Sequence, residues 1–162
     1  MRNIFITVLL SLVATVAFAD GHNNHEKEVL AALDKYYTAR DAGDFTTVVA
    51  MESKAGTYNT NSDGSFHKVY SKSTVKGWKS NFEKGTVTKV HYAEAAALTE
   101  DVVLVRFYAE GMIMSGGKGT DYRTRVTMNW IKEDGNWVVK SSHYSPANYG
   151  GVHQTQASDF ED

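Results

Sequence analysis

Residues 134–151 read DGNWVVKSSHYSPANYGG. The segment opens with the turn pair Asp134-Gly135 and continues as a strand through Trp137, Val138 and Val139. The strand then loses its apolar character and ends on His143, Tyr144, Ser145 and Pro146. A strand that starts in a core and finishes on an imidazole, a phenol and a hydroxyl has two explanations. Either these groups line a cavity, or they are a sheet edge running out into water.

Upstream, the second half of the chain is nearly all strand. Thr86–Leu98, Val102–Met114, Thr120–Lys132 and Trp137–Ser145 are separated by Thr99-Glu100-Asp101, Ser115–Gly119 and Glu133–Asn136. Connections this short make neighbouring strands antiparallel. The strands run to about 9 to 13 residues against a usual ~5–6, and long twisted strands curl. Gly111 is a candidate bulge or bend.

The first half is helical. From Glu26, Val29, Leu30, Leu33, Tyr36 and Tyr37 recur at three- and four-residue steps and form one apolar stripe. Gly43 suits the left-handed position past a helix end, and Asp44 suits the cap of a second helix carrying Phe45, Val48, Val49 and Met51. Tyr58–Thr60 and Ser65–Tyr70 flank Asn61-Ser62-Asp63-Gly64 and predict a short hairpin. Ser71 or Ser73 opens a third helix with Val75, Trp78 and Phe82 on one side, closed by Gly85. Helices followed by a meander give an α+β class, with the helices on one face of a bent sheet.

At the N-terminus, Arg2 precedes the apolar run Ile4–Phe18 and the small-x-small site Ala17-Phe18-Ala19. This pattern predicts a cleaved secretory signal peptide over 1–19 and export to the periplasm or the exterior. The run is shorter than the ~20 residues of a membrane span. Taking nineteen residues from 162 leaves 143, starting at Asp20, enough for one domain with a sizeable core. The expected organisation is a flexible 20–25, a domain over 26–148 and a tail over 149–162. Sixteen basic and nineteen acidic residues then remain, with no basic run, so no nucleic-acid or anionic-membrane surface is expected. With no cysteine, packing alone must stabilise the fold.

The order helix–helix–hairpin–helix–four long strands resembles the nuclear-transport-factor-2-like fold, the SnoaL-like and ketosteroid-isomerase-like cone, over roughly Glu26–Ser145. Arg125-x-Thr127-x-x-Trp130, Asp134-Gly135-x-Trp137 and His143-x-Ser145 resemble the closing signature of the subgroup related to the calcium/calmodulin-dependent kinase association domain. The resemblance implies a cone-shaped roll whose strongly curved sheet wraps a cavity against the helices. It does not imply one activity, because this fold hosts isomerases, dehydratases and oligomerisation modules.

By strict alternation Trp137, Val139, Ser141, His143 and Ser145 share a face, as do Arg123, Arg125, Thr127 and Asn129 on the neighbouring strand. If that face is concave, Arg125, Thr127, His143 and Ser145 enter the cup, with Tyr36 and Trp78 on the helical side. A bulge would exchange inside for outside. The competing readings are a structural histidine, an Arg125 ion pair, and Trp and Tyr rings that simply pack.

The expected function is small-molecule binding, the ligand being acidic or carbonyl-bearing and gripped by Arg125 and His143. An isomerase or dehydratase using His143 as acid or base is the first alternative. It lacks a readable carboxylate partner, since Asp41 and Asp44 are at helix ends and Asp101 and Asp134 are in turns. A scaffold is the second alternative. A homodimer through a sheet apolar on both faces is expected, with Val102, Leu104, Arg106 and Tyr108 on one side of a strand and Val103, Val105 and Phe107 on the other. No cofactor and no internal metal are expected. The free amine of Asp20-Gly21-His22 would supply a square-planar nitrogen set for Cu(II) or Ni(II), an accident of sequence for any third-position histidine.

Overall fold

The computed structural model describes residues 24–61 and 69–147. The expected leader over 1–19, the Asp20-Gly21-His22 terminus expected after its cleavage, the expected Asp63-Gly64 turn and the expected tail over 149–162 lie outside the described residues. Helix α1 spans 24–41, α2 Phe45–Ala50 and α3 Val75–Asn81. The strands are β1 (Tyr58–Thr60), β2 (Val87–Thr99), β3 (Val102–Ser115), β4 (Lys118–Glu133) and β5 (Asn136–Pro146). They form one open sheet in the order β1-β5-β4-β3-β2, in which only β1 on β5 is parallel. This is the expected α+β class.

The apolar stripe of α1 fills the inner face of the sheet. Val29, Leu33, Tyr36 and Tyr37 are buried against Val103, Val105 and Phe107 of β3 and Val126, Met128 and Trp130 of β4. Gly43 takes φ 73 past the end of α1, and Asp44 caps α2 by accepting from the Thr47 amide at 3.1 Å. The cap of α3 is Thr74, which accepts from the Gly77 amide, rather than Ser71 or Ser73, and that helix stops at Asn81, before Gly85.

Both ends of α1 hold the edge strand. Glu26 accepts from the Ala97 amide at 3.0 Å and Asp41 from the Thr88 amide at 2.9 Å. These two carboxylates satisfy β2 amides that no further strand reaches.

Two expectations change. Tyr58–Thr60 pairs with β5; most of the expected second hairpin arm lies outside the described residues, among which the antiparallel contact is the bridge Thr57–Ser71. Gly111 is not a bulge, since it pairs in register with Thr88 and Tyr122. It is glycine because a Cβ there would collide with the Val87 backbone. The register shifts fall instead between His91 and Glu94, between Ala97 and Thr99, and at Lys140 of β5.

The outer face is not apolar throughout. Val102, Ile131 and Val138 stand in one cross-strand row, beside a row containing Leu104. Beyond them the face carries the pair Arg106–Glu94 and the group His91–Glu110–Arg123. Val103, Val105 and Phe107 are the buried side of β3, as alternation requires.

Candidate functional site

Arg125 stands opposite Ser145, and Thr127 opposite His143. The four residues share a face, but it is the outer one. Arg125, Thr127 and His143 are exposed, while their neighbours Thr124, Val126 and Ser142 are buried. The cause is Lys140. Trp130 pairs with Val139 and Asn129 with Ser141, so Lys140 is the extra residue of a bulge. Trp137 and Val139 precede it and face α1; Ser141, His143 and Ser145 follow it and face away. The bulge is held by the Lys140 ammonium, which donates to the Gly56 carbonyl at 3.0 Å and to Tyr70 Oη at 3.3 Å. The expected inner-face placement of Arg125, Thr127, His143 and Ser145 is therefore corrected. Tyr36 and Trp78 do lie on the helical side of the interior.

The phenol of β5 is the group that turns inward. Tyr144 and Tyr37 hydroxyls lie 3.2 Å apart. The Arg40 guanidinium stacks on the Tyr37 ring, 4.1 Å from its centroid. Arg40 is 8% exposed, and its Nε makes no hydrogen bond within the described residues; Thr124 Oγ1, also buried, makes none. Thr124 stands two residues from Val126, the register partner of Tyr144, so it belongs to the same end of the cup. Of the two hydroxyl hydrogens on Tyr37 and Tyr144, their mutual bond uses one. The end of α1 therefore presents three spare donors from Arg40, Thr124 and one tyrosine.

Electrostatics keep these donors protonated. Burial pushes the Tyr144 hydroxyl well above the ordinary tyrosine range and Tyr37 above it as well, the latter against the pull of Arg40. Burial opposes the Arg40 charge, but the Tyr37, Tyr144 and Asp41 oxygens outweigh it and raise its pKa.

A second polar group sits deeper. Glu52 Oε1 accepts from the Tyr36 hydroxyl at 2.6 Å, and Oε2 from Trp78 Nε1 at 3.4 Å. The Met51 carbonyl and the Ser53 amide both bond to Val139, which fixes Glu52 between them against β5. Burial, then Glu52, pushes the Tyr36 hydroxyl well above its usual range. Trp130 packs edge-on to Tyr36, and its buried Nε1 makes no hydrogen bond within the described residues.

Residues 29–149 match the family model described as SnoaL-like domain. The chain belongs to that family. No curated protein matches this SnoaL-like chain. Among solved structures, it is similar to an NTF2-like protein of unknown function from Pseudomonas putida, with TM-score 0.64, 16% identity and coverage of 82% and 93% of the two chains. It is also similar to the CaMKII association domain of C. elegans, with TM-score 0.62, 13% identity and coverage of 78% and 98%. The CaMKII hub homology domain of Chlamydomonas reinhardtii gives TM-score 0.60, 16% identity and coverage of 75% and 97%. At these identities the likeness is one of fold. It bears out the expected cone.

Arg40, Glu52 and Thr124 were not among the residues singled out from the sequence, and Tyr144 was noted at the end of β5 but not placed in the expected site. Arg40 had a signal, since it falls three and four positions after Tyr37 and Tyr36 on the apolar stripe of α1. A cation at a core-facing position is rare enough to mark a site. Glu52 carried only a weak one, a carboxylate closing the apolar run of α2.

Proposed function

We propose that this SnoaL-like domain binds a small molecule through a carboxylate or carbonyl held at the Arg40 end of the cone. The observation that carries the reading is the buried Arg40 Nε–H with no acceptor among the described residues, beside spare donors on Thr124 and the Tyr37–Tyr144 pair. A cluster of donors alone calls for an acceptor, and a buried unpaired donor costs about 1–3 kcal/mol until it finds one. Calorimetric titration of small carboxylic acids and ketones into the parent and Arg40→Gln is the test. Binding should weaken by roughly tenfold to a hundredfold on losing one charge-assisted bond. Equal binding by both proteins would move the site elsewhere.

A second reading is assembly, favoured by the half-buried apolar row of Val102 and Ile131 on the outer sheet face. In this reading two copies pair sheet to sheet about a two-fold axis, and solved relatives described as hub and association domains support it. Light scattering at micromolar concentration should return twice the chain mass. The leader pattern of 1–19 supports export, and N-terminal sequencing of the native protein should begin at Asp20.

A further inference from the structure

Glu52 is 6% exposed, and among the described residues no Lys, Arg or His pairs with it. Its partners, Tyr36 and Trp78, are neutral donors. A carboxylate offers about four lone-pair positions, so this one keeps acceptor capacity to spare. A desolvated charge without a counter-charge is costly. The same interior holds Arg40 one helical turn from Tyr36, and neighbours a turn apart on a helix lie roughly 6 Å from each other. Tyr36 senses both, since Glu52 raises its pKa and Arg40 lowers it. Glu52 at the Tyr36 hydroxyl and Arg40 one turn along the same helix are thus both neighbours of one phenol. A simple anion at Arg40 would add to the negative charge already present as Glu52 and Asp41. A ligand with its own cation would not.

Resting on the Arg40 reading above, we propose that the ligand is a zwitterion of the amino-acid type, with its acid at Arg40 and its ammonium at Glu52. The ammonium supplies the counter-charge that Glu52 lacks and uses its free lone pairs. Tyr36 separates the two subsites and sets the spacing of acid and amine.

Matched pairs test this by calorimetry on the full chain at neutral pH. Glycine, β-alanine and 5-aminopentanoate are titrated against acetate, propanoate and pentanoate. At least one amino acid should bind tenfold or more tightly than its deaminated partner, the value of one charge-assisted bond. Glu52→Gln keeps the acceptor for Tyr36, gives up the one for Trp78 and removes the charge, so it should erase that advantage while the plain acid binds no more weakly than to the parent. If acids bind in an Arg40-dependent way but the amines add nothing, the zwitterion is wrong and the acceptor site stands. If neither series binds, both readings fall. Since the comparison between ligands is made on the parent protein, a Glu52→Gln chain that does not fold leaves the outcome decisive.

Discussion

The Tyr36 hydroxyl donates to Glu52 at 2.6 Å across sixteen positions of sequence, tying α1 to the segment that follows α2. Tyr36→Phe keeps the ring contacts with Trp130 and Trp78 but leaves a buried carboxylate short of a donor. The expected cost is about 1–3 kcal/mol, read as a lower denaturant midpoint with an unchanged slope. A change below about 0.5 kcal/mol would mean that Glu52 finds another partner.

Alkaline pH should unfold the protein through its inner phenols. Tyr36, Tyr37 and Tyr144 all have pKa values raised in the folded state, burial being the first cause. A folded-state pKa above the unfolded one gives stability that is complete below the unfolded value and is lost as pH rises beyond it. Stability should therefore be level up to about pH 10, the unperturbed tyrosine value, and fall above it. Urea titrations at pH 8 and pH 11 compare the two regimes. The three-fold variant with phenylalanine at all three positions should have the flatter profile.

Adding a residue to β5 after its bulge should be far worse than truncating or deleting Lys140. Lys140→Ala loses hydrogen bonds to Gly56 and Tyr70 and should cost about 1–2 kcal/mol. Removing the residue takes out the bulge but keeps the pairs Trp130–Val139 and Asn129–Ser141, so Ser142 and Tyr144 stay inward and His143 and Ser145 outward; inserting an alanine after Ser141 instead shifts the phase and turns His143 and Ser145 inward. Circular dichroism melts should show a cooperative transition for the alanine and deletion variants and none for the insertion.

Arg125→Ala and His143→Ala should leave ligand affinity at the parent value, because both side chains are on the outer face. Arg125 donates to the Pro146 carbonyl at 2.9 Å from an exposed position, so its loss should change stability by no more than about 0.5 kcal/mol. Calorimetry of these variants beside Arg40→Gln separates the two faces of the sheet.

The same bulge explains what the sequence told and what it withheld. Alternating apolar residues place all four long strands to within two residues at each end, and the α1 stripe is legible because a helix buries every third or fourth position. The turn pair Asp134-Gly135 is equally legible, with positive φ at both residues. Lys140 has no local signature. What makes it a bulge is a carbonyl at Gly56 and a hydroxyl at Tyr70, both remote in sequence. One such residue inverts every assignment after it, which is why His143 was expected inside and Tyr144 passed over. Arg40 and Glu52 were missed for another reason, since charged residues in helical stretches usually point to water.

The two carboxylates that hold β2 reach 71 positions, from Glu26 to Ala97, and 47 positions, from Asp41 to Thr88. The strand-to-strand turns of the meander close far shorter loops, so chain entropy lets the sheet assemble before the helix is latched to its rim. During that interval β2 is an adhesive border open to any other chain in the same condition. Recovery from denaturant should accordingly decline as protein concentration rises, and a Glu26→Ala, Asp41→Ala chain should lose more material to precipitate than the parent at equal dilution. The helix that shapes the cup thus also acts as the chaperone of its own sheet.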